Sequence, residues 1–105
     1  MKRIVALAAF LITLTAGSVQ AQNVSERLKG ASFAQQICAE SHAVQAGQPR
    51  SPNGQAPTFE TVAKTPGMTA IALTAILRTS HRSMPNIILA DDDLRNVIAY
   101  IMTLE

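Results

Sequence analysis

A single cysteine, Cys38, constrains this chain more than any other feature, because one cysteine cannot form an internal disulfide. Small exported domains usually rely on disulfides, since their cores are too small to stabilise a fold alone. The 105 residues include no Trp and one Tyr, so large aromatic side chains do not compensate. We therefore expect a bound cofactor to complete the core.

The first 21 residues predict a cleavable secretory signal. Lys2 and Arg3 precede an apolar run over 4–14, and the small residues Val19 and Ala21 stand at the two positions that a signal peptidase recognises. The run is shorter than the roughly 20 residues that a membrane-spanning helix needs. We expect cleavage after Ala21.

The predicted organisation is a signal peptide over 1–21 and one mature domain over 22–105. The full chain has nine Lys and Arg against seven Asp and Glu; since Lys2 and Arg3 belong to the signal, the mature domain has seven of each and is neutral. A neutral domain lacks the basic surface that nucleic-acid binding requires. We therefore expect a periplasmic protein with no nucleic-acid partner and no membrane anchor after cleavage.

Helical periodicity predicts an all-α domain of three to five helices. A first helix is expected within 23–44, where five apolar or small residues share one face: Gly30, Phe33, Ala34, Ile37 and Cys38. A short helix is expected over 59–64 and another after Thr69. The clearest helix is expected to begin at the acidic residues Asp91–Asp93, which would cap it and suit the helix dipole. No segment alternates with period 2, so no strand is expected.

Two breaks separate the helices. The segment 45–58 contains three prolines and two glycines, a density that cannot continue a helix, and Thr79–Pro85 forms the second break. Loops as long as 45–58 usually have a function or enclose something.

Three residues have the chemistry of haem attachment and ligation. Cys38 and His42 are four residues apart, so their side chains leave the same face of a helix. A flat cofactor on that face could take a thioether from Cys38 and an iron–imidazole bond from His42. Met84 precedes a proline within the second break, where its sulfur is free to point inward. His and Met together form an axial pair for haem iron that suits electron transfer.

The order of these motifs resembles that of the small class I bacterial cytochromes c. The motifs are, along the chain, Gly30, the Cys38–His42 box, Ala56–Phe59, Ser83–Pro85 and Val97–Ile101. The resemblance covers the whole mature domain and implies a cytochrome c-like fold, with three to five helices around one c-type haem per chain. It also implies that Gly30 lets the first helix cross the last one closely, opposite Tyr100.

The resemblance assigns a role to each site residue. It implies that Cys38 binds the haem covalently, and that His42 and Met84 are the proximal and distal axial ligands of the iron. Pro57 would place its backbone carbonyl against the other ring nitrogen of His42 and so fix the tautomer of the ligand.

These roles imply a periplasmic one-electron carrier and not an enzyme. The expected partners are redox proteins: a periplasmic dehydrogenase, an oxidase or a membrane cytochrome complex. Nothing in the sequence indicates a nucleophile, a general base or a substrate pocket.

The chain departs from the family at one position, because Ser41 stands where the C-x-x-C-H attachment signature has its second cysteine. Three interpretations remain open. Haem is held by one thioether through Cys38, haem is bound only through its axial ligands as in a b-type protein, or the scaffold no longer attaches haem.

A copper-binding or other metal-binding module is the alternative from another class. Its ligand types are present: Cys38, His42, His81 and Met84. Blue-copper sites are built on β-sandwiches, and no strand pattern supports one here. His81 is also an alternative to Met84 as a haem ligand, whereas Met68 and Met102 are expected to pack in the core.

Overall fold

The computed structural model describes residues 19–79, 84 and 88–105. Within these ranges the protein is mostly helical and contains no β-strand, which confirms the expected helical class. The helices are, in order, residues 19–33 (α1, extended by a π-helical turn, Ala34–Cys38), Phe59–Lys64 (α2), Ala70–Arg78 (α3) and Asp91–Ile101 (α4, followed by a 3-10 turn, Met102–Leu104). Residues 1–18 of the predicted signal, His81 and Pro85 lie outside the described residues. No helix in these ranges has the length and hydropathy needed to span a bilayer.

Two threonines define the starts of α2 and α3. The side chain of Thr58 accepts a hydrogen bond from the backbone N–H of Thr61 (3.0 Å), and that of Thr69 accepts one from Ala72 (3.1 Å). Each bond satisfies an N–H that has no partner within the first helical turn. Gly67, with a φ of 81°, turns the chain between the two helices. The predictions for α2 and for the Thr69 cap are confirmed.

The start of α4 differs in one detail from the prediction. Its N-cap is Ala90, which has no side-chain hydrogen bond, and the residues Asp91–Asp93 occupy the first turn instead of capping it. Their charges still face the positive end of the helix dipole. The predicted apolar face is present, since Leu94, Val97, Ile98 and Ile101 are all buried.

A close crossing of α1 and α4 depends on Gly30. A Cβ atom at this position would lie 1.9 Å from the backbone oxygen of Asn96 and 2.9 Å from the Cβ of Tyr100. These distances are far below van der Waals contact, so only glycine allows the crossing. The expected role of Gly30 is confirmed.

The first helix ends earlier than predicted. The sequence places the helix within 23–44, with Cys38–His42 at its end, but the helix ends in the π-helical turn Ala34–Cys38, closed by a 2.9 Å bond from Ala39 N to the oxygen of Ala34. The reason is tertiary: the carbonyl of Ala43 accepts a bond from Phe59 N (2.9 Å), so the chain follows α2 instead of continuing α1.

The loop 45–58 is irregular, as predicted, and is attached to the elements on both sides of it. Within it, the N–H of Asn53 donates to the oxygen of Ser41 (3.1 Å). The N–H of Gly47, near the start of the loop, donates to a carboxylate oxygen of Glu60 on α2 (3.2 Å). These bonds attach the loop to the segment that follows α1 and to α2.

Candidate functional site

A cavity of about 380 Å³ lies where the end of α1, the loop 45–58, α3 and α4 meet. Cys38, His42, Pro57 and Met84 all line it, so the structure brings the four predicted site residues together. Much of the wall is apolar: Val62, Leu73, Leu77, Leu89, Val97 and Ile101. Its volume lies within the range of small-molecule and cofactor sites, about 300–1,000 Å³.

His42 is oriented by the loop. Its Nδ1 atom lies 2.7 Å from the backbone oxygen of Pro57. Because a carbonyl oxygen only accepts hydrogen bonds, Nδ1 carries a proton, and in the neutral imidazole Nε2 is then the nitrogen that can bind a metal. The predicted contact of Pro57 is present, while ligation by His42 stays a prediction.

The ring of His42 also contacts an aromatic side chain. Its centroid lies 5.4 Å from that of Phe59, at an interplanar angle of 49°. Phe59 in turn lies 6.5 Å from the ring of Tyr100 on α4. Both separations are within the range of favourable aromatic pairs.

Cys38 is half-buried beside His42. The backbone N–H of His42 donates to the oxygen of Cys38 (2.9 Å), so the two residues are one helical turn apart, as predicted. Burial raises the pKa of the Cys38 thiol, because the charged thiolate is poorly solvated there. The thiol is therefore held mainly in its less reactive form. Ser41, which stands at the position of the second cysteine in the C-x-x-C-H signature, lines the same cavity.

Met84 is the methionine that lines the cavity among the described residues. Its side chain is half-buried. Met68 and Met102 pack against the hydrophobic core, as predicted for them.

The donor set and the walls of the cavity are compatible with a haem. An imidazole and a thioether face a mainly apolar space, beside a thiol suitable for covalent attachment. Ile37 and Ile76 line the cavity but are 46% and 36% exposed, so a flat apolar group would cover side chains that water now contacts. By contrast, no three His, Cys, Asp or Glu side chains within the described ranges converge on a metal position, and His81 lies outside them.

Two features of the site were not predicted from the sequence. Phe59 contacts the ring of His42, and the hydroxyl of Tyr100 donates to the backbone oxygen of Val44, which follows His42 closely in the chain. Both contacts join residues far apart in the sequence, and no local pattern indicates them. Phe59 and Tyr100 belong to the motifs of the resemblance, but that resemblance gave them no contact with the segment of His42.

No protein-family model matches the chain, and no characterised protein or solved structure matches it. The resemblance to cytochromes c therefore depends on the motifs and on the geometry of this cavity.

Proposed function

We propose that this chain is an exported, cytochrome c-like electron carrier that binds one c-type haem in the cavity described above. The observation that carries the proposal is the 2.7 Å contact between His42 Nδ1 and the oxygen of Pro57, in a cavity that Cys38 and Met84 also line. This arrangement leaves Nε2 of His42 free for iron and offers a second, sulfur ligand. Metal-binding histidines typically donate their other ring N–H to a carbonyl or a carboxylate, as His42 does here.

Each residue has a defined task in this proposal. His42 and Met84 would hold the iron axially, and Cys38 would hold the porphyrin through a thioether. When bound, the haem supplies the one-electron redox chemistry. The chain fixes the proton on Nδ1 of the imidazole and provides the apolar walls of the cavity. A thioether ligand opposite histidine favours the reduced iron and raises the reduction potential.

Attachment through one thioether would distinguish this carrier from cytochromes c that have the full signature. The hydroxyl of Ser41 does not add to a vinyl group as a thiol does, and Cys38 is the chain's one cysteine. Loss of one covalent link leaves both axial ligands in place, so electron transfer does not depend on a second link.

The site supports a carrier and not an enzyme. With His42 and Met84 both holding the iron, no iron position would remain for a substrate. The chain would accept an electron from one periplasmic redox protein and deliver it to another; the classes expected are a dehydrogenase, an oxidase and a membrane cytochrome complex.

Export from a host with cytochrome-maturation machinery tests the proposal. We expect purified protein with a Soret band, and haem that stays with the polypeptide after extraction with acidified acetone. The control is Cys38→Ser, from which the same extraction should remove the haem. Haem extracted from the unsubstituted chain would instead indicate a b-type protein. Copper without haem, or a colourless folded chain, would contradict the proposal.

A further inference from the structure

We propose that Phe59 is a positioning residue that fixes the plane of the His42 imidazole; this role rests on the proposed function, in which that imidazole binds iron. Phe59 is 6% exposed and lies in the first turn of α2. Its ring is 5.4 Å from that of His42 at a tilt of 49°.

The backbone brings the two rings together independently of any ligand. Phe59 N donates to the oxygen of Ala43 (2.9 Å), and Pro57 O accepts from His42 Nδ1 (2.7 Å). The segment at His42 and the start of α2 are therefore joined at two points. Thr58, between the two points, caps α2 and fixes where the helix begins.

One hydrogen bond does not define the orientation of an imidazole. The bond to Pro57 restrains Nδ1, but a hydrogen bond tolerates a range of distances and angles, so χ1 and χ2 of His42 can still change together within that range. A second contact, on another part of the ring, narrows that range. Phe59 supplies such a contact, and the low exposure of its side chain leaves it little room to move.

Tyr100 supports Phe59 from α4. Its ring lies 6.5 Å from that of Phe59, and its hydroxyl donates to the oxygen of Val44. Burial raises the pKa of Tyr100, so the hydroxyl keeps the proton that it donates. Tyr100 therefore connects α4 both to the segment after His42 and to Phe59, the ring that contacts His42.

Electron paramagnetic resonance of the ferric haem-loaded protein tests the inference, because the g-values of low-spin iron depend on the orientation of an axial imidazole. Phe59→Leu removes the ring and keeps an apolar side chain. We expect its largest g-value to shift or broaden. The matched control is Leu94→Ala, which opens the core at a residue that is 5% exposed, lines a separate groove and does not line the cavity.

The inference holds if the largest g-value shifts more in Phe59→Leu than in Leu94→Ala. The urea concentration at the unfolding midpoint should fall by a comparable amount in both variants. Equal g-values in the two variants, or g-values in Phe59→Leu that match the unsubstituted protein, overturn it. If Phe59→Leu does not fold, Phe59→Met, which has no ring but a longer apolar side chain, takes its place with the same criterion. An unsubstituted chain that takes up no haem overturns the proposed function itself, and that result is distinct from a haem-loaded chain with an unshifted spectrum.

Discussion

At the scale of single residues, the proposed iron ligation depends on the contact between His42 and Pro57. Pro57 has no N–H but offers a carbonyl, and that carbonyl determines which nitrogen of His42 keeps the proton. A ligand with a fixed tautomer needs no rearrangement when it binds a metal. The site therefore depends on a backbone atom, and replacing the side chain at 57 tests it only indirectly.

Ser41→Cys should convert one-point into two-point attachment of haem. The new thiol would stand three residues from Cys38 and complete the attachment signature. A second covalent link should raise the melting temperature, by about 4–8 °C for each ~1 kcal/mol that it contributes. The measurements are the pyridine haemochrome spectrum and thermal unfolding.

The control for this change is Ser41→Ala, which adds no thiol and should keep the original spectrum. Unchanged attachment and unchanged stability in Ser41→Cys would show that the box does not bind haem in the way proposed.

Met84→Ala should abolish the charge-transfer band of an iron–sulfur bond and lower the reduction potential, because it removes the sulfur ligand. Met68→Ala and Met102→Ala are matched controls, since these methionines pack against the core. They should reduce stability but keep the band. A band that persists in Met84→Ala and disappears in either control would reassign the ligand.

At the scale of elements, the crossing of α1 and α4 is the least tolerant contact. Gly30→Ala would bring a methyl group to 1.9 Å from the oxygen of Asn96, so one helix would have to move. We expect a loss of about 1–3 kcal/mol or more in the free energy of unfolding. Gly54→Ala is the control, because a Cβ there meets no atom within 4 Å. Equal stability of the two variants in urea unfolding would show that the helices do not cross in this way.

The attachment of the loop 45–58 to α2 should depend on pH. Glu60 accepts hydrogen bonds from Lys64 (3.0 Å) and from the N–H of Gly47 (3.2 Å). Both bonds lower the pKa of its carboxyl, and the bond from Lys64 has the larger effect. A group whose pKa is lower in the folded state stabilises the fold above its unfolded pKa, about 4.3, and loses this effect as the pH falls through the folded value.

Glu60→Gln should therefore melt below the unsubstituted protein at neutral pH, and the difference should close on acidification. Glu40→Gln removes the same charge from an exposed position near the cavity and controls for net charge. A difference in melting temperature that stays constant down to strongly acidic pH would exclude this role for Glu60.

The elements that depend on local pattern were predictable, and the contacts that join them were not. The bounds of α2, the Thr69 cap and the apolar face of α4 follow from caps and spacing within a few residues. The early end of α1 does not, because it depends on a bond between Ala43 and Phe59 that forms only after the loop has closed. The same applies to the contact of Phe59 with His42. The sequence therefore indicated four residues that line the cavity but not the contacts that orient them.

At the scale of the whole molecule, the hydrophobic core opens directly onto the candidate site. Leu73, Val97 and Ile101 are each at most 3% exposed, yet all three also line the cavity. The wall of the cavity is thus one side of the core. An apolar group placed there would extend the core across the space and add buried apolar area to a small domain that has no internal disulfide.

Intact mass spectrometry of the exported protein, combined with its unfolding in urea, tests the central claim most directly. The account predicts a mass equal to residues 22–105 plus one haem, retained under denaturing conditions and localised to a peptide containing Cys38. A chain that carries no iron, yet is compact and unfolds cooperatively, would contradict it.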